Sequence, residues 1–410
     1  MATNTTYATL YAVDGALLPF LSLFLAYAHG LSASQIGFVM AAASVSAIVA
    51  PPVLTVLADR YGRAELLLVT MLAASSVALL VFAFVGGFWG LLIVYAAFSL
   101  VREPTRPLLD GIFFTSQRTI PALAEVKYHR VRFWGTFGFM VPGVILYFVL
   151  VDGDALDSLP LLSCGLAVLG LAAALFLPSR RRASVSAASL PGGGPGGQGA
   201  PAGRTPTPAA GRTDMRALAR AAGRLLCRRT TVVFITSMFL LQASMSAYFA
   251  FYPLQATEVV GLSPRWIGLI TNLGVALELG YMAAFGWLVA RLGWRWLMVL
   301  GAAGMAVRVA LLAAIPTVGI VVGTQVLHGL VIVVSMVAGR VILDRYAPDE
   351  IRHTAQGLYA MIVLGGGKIV GSALGGLIAA QDLSAVFWSA AAVASVAAFG
   401  LAWALREEPA

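Results

Sequence analysis

Along the chain, long apolar stretches alternate with short polar loops, and polar positions inside the stretches are few. Twelve stretches come near the roughly 20 residues that a helix needs to cross the hydrocarbon of a bilayer. They run over 7–28, 35–56, 66–86, 89–113, 131–151, 159–177, 230–253, 266–289, 296–314, 318–341, 356–380 and 384–404. The pattern predicts an all-α integral membrane protein with twelve transmembrane helices. A polar interval at 179–229 divides it into two six-helix bundles, 1–178 and 230–410.

Composition agrees. Sixty per cent of the 410 residues are hydrophobic and 11% are charged, against about 25% charged in an ordinary soluble domain. With a mean hydropathy of +0.88, much of the chain must have lipid as its solvent. The first stretch is long enough to span, lacks a basic leader and contains Asp14, so it reads as a helix and not as a cleaved signal. Cys164 lies in an apolar run and Cys227 in a basic loop, which speaks against a disulfide framework.

The net charge of +9 suggests nucleic acid until its positions are read. With the N-terminus inside, Arg60, Arg63, Arg118, Lys127, Arg130, Arg291, Arg295, Arg345, Arg352 and Arg406 all fall in inner loops. Asp152, Asp154, Asp157, Glu258 and Asp382 fall in outer loops, where Arg265 is the lone basic residue. The positive-inside rule therefore predicts cytoplasmic termini and an inner (plasma) membrane location, and no nucleic-acid partner.

The interval 179–229 opens with Arg180, Arg181 and Arg182 and continues in a Pro-, Gly-, Ala- and Ser-rich run from Ser184 to Gly211. Such a composition cannot bury a core and predicts a flexible linker. Arg216, Arg220 and Arg224, interleaved with Leu218, Leu225 and Leu226, predict a basic helix on the inner leaflet at its end.

The two halves repeat. Gly30-Leu31-Ser32 with Ile36-Gly37 recurs as Gly261-Leu262-Ser263 with Ile267-Gly268, and Arg60-Tyr61-Gly62 recurs as Arg291-Leu292-Gly293, all at an offset of 231 residues. Parallel repeats about an axis normal to the membrane are one of the internal symmetries of transporters. The loop Leu57-Ala58-Asp59-Arg60-Tyr61-Gly62-Arg63 resembles the signature loop of major facilitator transporters. That resemblance implies two pseudo-symmetric six-helix bundles working by alternating access, with Asp59, Arg60, Gly62 and Arg63 as a gating latch.

Chemistry is expected where ionisable groups lie inside the bilayer, each costing about 2.5–3.5 kcal/mol at a helix centre on insertion scales. They are Asp14, then Arg102, Glu103, Arg106 and Asp110 in the fourth stretch, Arg132, Glu278, Arg308, His328 and Lys368. In the fourth stretch, Glu103–Arg106, Arg102–Arg106 and Arg106–Asp110 have i,i+3 and i,i+4 spacing and predict an intrahelical charge ladder, interrupted by Pro104 and Pro107. Asp14 is expected either as a second proton site or as a partner for Arg132 or the fourth-helix arginines. Lys368 follows Gly365-Gly366-Gly367, which predicts a loosened helix lining a cavity. The aromatic group Tyr248, Phe249, Phe251 and Tyr252 is mostly explained as an interface belt.

The segments Leu273–Leu279, Gln325-Val326-Leu327-His328 and Tyr128-His129-Arg130-Val131-Arg132-Phe133-Trp134-Gly135 with Gly138, together with Gln242 and Tyr248, resemble the phenylpropionate permease branch of the superfamily. That branch is akin to lactose permease and the nucleoside–proton symporters. The resemblance implies proton-coupled uptake of a small organic molecule, with Arg132 at a substrate-binding position and Arg308 and His328 at the coupling site. Val331 stands where lactose permease carries its proton-bearing glutamate, and Phe139 where a tryptophan stacks on the sugar. The expected proton carrier here is therefore Glu278, moving relative to Arg308 with His328 as relay.

The expected function is symport of an aromatic acid or nucleoside-like solute, with a substrate site drawn from Arg132, Asp110, Gln242, Tyr248, Gln325 and Lys368. The alternatives are proton-antiport efflux and a non-transporting receptor; the costly intramembrane charges argue against the latter. No enzyme, metal site or cofactor is expected; a proton gradient supplies the drive, and the expected functional unit is a monomer.

Overall fold

A computed structural model describes residues 2–61, 64–120, 123–150, 154–177, 228–347 and 351–406. The described residues form helices throughout. In the first half these are α1 (Ala2–Ala28), α2 (Ala33–Tyr61), α3 (Ala64–Phe84), α4, α5 (Tyr128–Val149) and α6 (Leu159–Ala174). The second half has α7 (Arg229–Val259), α8 (Arg265–Ala283), α9 (Phe285–Ala314), α10 (Val318–Tyr346), α11 (Thr354–Ala379) and α12 (Leu383–Ala404).

Eleven helices among the described residues are long and apolar enough to cross a membrane. The remaining one, α4, is made of two pieces, Phe88–Arg102 and Thr105–Thr119, separated at Glu103 and Pro104. Proline has no N–H to continue the ladder and its ring clashes with the preceding turn, so the helix breaks there. Side chains such as Phe84, Trp89, Phe148, Phe176, Trp287 and Phe399 stand exposed on the outside of the bundle, as expected for a lipid-facing surface.

The 231-residue repeat has a structural counterpart. Both α1 and α7 end in a π-helical turn, Phe24–Ala28 and Gln255–Val259. In each, the amide of the third residue past that turn reaches back six residues: Leu31 to the Leu25 carbonyl at 3.0 Å, Leu262 to the Ala256 carbonyl at 2.9 Å. The residues between, Gly30 and Gly261, have φ of 64° and 79°. Only glycine adopts that left-handed conformation without penalty, so the sequence repeat marks a paired helix stop. Gly293, the counterpart of Gly62, also has a positive φ of 70° and divides α9. Gly62 and Arg63 lie outside the described residues, as do the side chains of Asp59 and Arg60 and the basic linker, so the latch and linker expectations concern regions beyond this description.

The halves meet mainly through α2 against α11 and α5 against α8. Because α2 corresponds to α8 and α5 to α11, the pseudo-twofold exchanges these two contacts. Both are closest at the face carrying the 29–32, 260–264 and 380–382 turns, the distal face. There Gly143 and Gly268 let the α5 and α8 backbones touch, Asn272 Nδ2 donates to the Met140 carbonyl at 2.7 Å, and Tyr147 meets Trp266 edge-on at 4.9 Å. Tyr27 Oη also lies 3.1 Å from Thr257 Oγ1.

Candidate functional site

Between the halves lies a cavity of about 390 Å³, within the usual range for small-molecule sites. On each contact helix, its lining residues follow the interface contact toward the face of the termini: Met40 to Ser44 beyond Gly37, Phe139 beyond Gly143, Thr271 beyond Gly268, Lys368 and Ser372 beyond Gly376. The halves are therefore joined on the distal side of the cavity.

The second-half wall is organised by Arg308 of α9. Its side chain is 2% exposed. One terminal nitrogen, Nη2, donates to Tyr248 Oη at 2.5 Å and to Gln325 Oε1 at 2.9 Å; the other, Nη1, lies 3.0 Å from His328 Nδ1. The guanidinium also sits over the Tyr248 ring, 4.2 Å from its centroid. Gln325 in turn donates to Tyr252 Oη at 3.3 Å and to the Val321 carbonyl at 3.2 Å.

Donor logic assigns the histidine tautomer. Arginine carries only donors, so Nδ1 of His328 must accept and the ring proton must sit on Nε2. Nε2 faces Glu278 Oε2 at 3.9 Å. The three groups thus form a chain, Glu278 to His328 to Arg308, with the histidine standing between the expected proton carrier and the arginine. The reason is packing: α8 lies along α10, which carries His328, and only grazes α9. Glu278 stands behind His328 and is not part of the cavity wall.

The first half gathers a different cluster. Asp14 is buried and takes Arg102 at 3.2 Å and Arg106 at 2.7 Å, so of its expected roles the structure places it as partner of the α4 arginines. Arg102 also donates to the Leu10 carbonyl, and Arg106 lies 3.8 Å from Glu103. The rest of the predicted intrahelical ladder does not form. Arg102 and Arg106 lie on either side of the helix break and converge on Asp14, and Asp110 accepts from Tyr7 Oη at 2.5 Å.

Arg132 stacks over Tyr11 at 4.2 Å, with Arg106 at 5.4 Å from the same ring. Neither Arg132 nor Asp110 lines the cavity, whereas Gln242, Tyr248, Gln325 and Lys368 do.

Two features escaped the sequence reading. Phe249 and Tyr252 join the expected Tyr248 in the cavity wall instead of an interface belt; their spacing beside Gln242 and Met245 was the available signal. Glu103 and Arg106 also line it, turned there by the α4 break. Val331 is buried against Gly304, away from the cavity wall.

A profile of the MFS_1 like family matches residues 2–390. The putative nucleoside transporter YegT of Escherichia coli (strain K12) is 25% identical over 366 residues, covering 85% of this chain and 77% of that protein. Maltose permease of Geobacillus stearothermophilus is 26% identical over 387 residues, covering 93% and 88%. Among solved structures, that of the nucleoside transporter NupG superposes with a TM-score of 0.81 at 18% identity over 99% of both chains. A D-xylose–proton symporter superposes at 0.67 and 16% identity over 97% and 95%. At such identities the superpositions speak to fold.

Proposed function

Since the chain belongs to the MFS_1 like family of major facilitator transporters, we propose that this secondary transporter is a proton-coupled symporter that takes up a small, ring-bearing organic solute by alternating access. The observation that carries it is the chain Glu278–His328–Arg308, which connects a carboxyl outside the cavity wall to a cation within it. With Nδ1 occupied by Arg308, a second proton on His328 requires that contact to open. The charge state of Glu278 is thereby tied to the position of Arg308, and hence to the solute.

The aromatic side chains Tyr95, Phe139, Phe249 and Tyr252 in the cavity wall suit a flat ring, in keeping with the nucleoside-transporter names of relatives. On the positive-inside assignment the distal face is outside, the termini are cytoplasmic, and the cavity belongs to a state closed toward the outside.

The test is purified protein in proteoliposomes with pH dyes on either side, challenged with nucleosides, aromatic acids and sugars. Solute-dependent alkalinisation of the side of addition is expected. Acidification there establishes antiport and efflux, and solute flux with no proton movement removes the coupling.

A further inference from the structure

The two walls of the cavity differ in charge. Four charged side chains line it: Glu103 and Arg106 from the first half, Arg308 and Lys368 from the second. In the first half, Arg102 and Arg106 are matched by Asp14 and Glu103 within 3.8 Å. The second-half wall holds two cations and no carboxylate.

Arg308 is 2% exposed, yet its partners Tyr248, Gln325 and His328 are all neutral. Its Nε–H is buried with no acceptor. Lys368, half-buried in the same wall, has no hydrogen bond or ion pair among the described residues. Glu278 faces the far side of His328, at 3.9 Å from Nε2, and is not in the cavity wall. Two uncompensated cations in a wall of low dielectric are costly to hold, and an entering anion offsets that cost.

We infer that the solute is an organic anion, a ring-bearing acid whose carboxylate is held by Arg308 and Lys368 while its ring lies against Phe139 and Phe249. This rests on the reading of the cavity as the transport site. It departs from the neutral nucleoside and sugar named for the relatives, because the wall is built for charge. Gln242, whose Oε1 is buried without a partner beside the Gly367 turn, supplies an acceptor for a ring N–H.

The experiment uses the purified full chain and two acids, orotate and 3-phenylpropionate, each against its carboxamide, with uridine as a neutral comparator. Binding is read by calorimetry. At least one acid is expected to bind about tenfold tighter than its amide, a difference of about 1.4 kcal/mol. Lys368→Met should remove that preference and Lys368→Arg restore it, which separates charge from folding. The inference is overturned if neither acid binds, if the amides bind as tightly as the acids, or if Lys368→Met keeps the preference. Proton movement is read separately in vesicles. Acid binding without proton flux removes the coupling and keeps the charge assignment; uridine-driven proton flux without acid binding does the reverse.

Discussion

In the first half, the buried Arg102 and the neighbouring Arg106 both reach a carboxylate, Asp14, at 3.2 and 2.7 Å. In the second half, Arg308 is as deeply buried but touches only a phenol, an amide and an imidazole. The first arrangement is closed: its charges cancel within α1 and α4. The second is open, because the carboxylate that would neutralise it stands one residue away, behind His328. A closed cluster holds helices together, whereas an open one leaves a cation whose counter-charge can be supplied by a solute or altered by a proton. The same chemistry, a buried arginine, is matched by a carboxylate in one bundle and by neutral groups alone in the other, which is the basis for proposing architecture for the first and exchange for the second.

The comparison can be broken at its strongest point first. Glu278→Gln should abolish accumulation of solute against its gradient while solute exchange across the vesicle membrane persists, because only the titratable group is lost. Undiminished uphill accumulation would falsify the open-site assignment. Asp14→Asn should do the opposite. It strands Arg102 without its counter-charge, and breaking a buried pair costs about 3–5 kcal/mol, visible as a much lower melting temperature in detergent. A melting curve like that of the parent would mean that the first-half cluster is not structural.

A smaller effect is expected at Tyr248→Phe, which removes the oxygen that Arg308 reaches at 2.5 Å. Hydrogen bonds to charged groups are worth about 1.5–3 kcal/mol, and the melting temperature should fall accordingly, though less than for Asp14→Asn. The smallest change should come from Glu103→Gln. That carboxylate is one-third exposed to the cavity and 3.8 Å from Arg106, so screening limits the loss to about 1 kcal/mol or less. If Glu103→Gln melts as early as Asp14→Asn, the division of labour between the two carboxylates is wrong.

Much of the architecture was legible because lipid imposes it. Each spanning segment must be a helix of fixed length, so the apolar stretches mark the helices directly. The recurrence of Gly30 at Gly261 marks the same left-handed stop in both halves. The site was legible only as a set of costly residues. Spacing along the chain says that Glu278, Arg308 and His328 lie inside three different helices, but not which helix packs on which. That decided whether the carboxylate met the arginine or the histidine. Likewise the i,i+4 spacing of Arg106 and Asp110 was real, yet Tyr7 from another helix took the carboxylate.

What the sequence by itself determined is the membrane class, the two-bundle organisation, the twofold repeat and the short roster of buried charges, since all of these follow from local composition and the expense of polarity in hydrocarbon. What only the tertiary structure decided is how those charges are matched. The α8–α10 contact set His328 between Glu278 and Arg308, and the break in α4 delivered two arginines to Asp14. Pairing depends on which helix faces meet, and helix faces meet through packing between residues far apart in the chain.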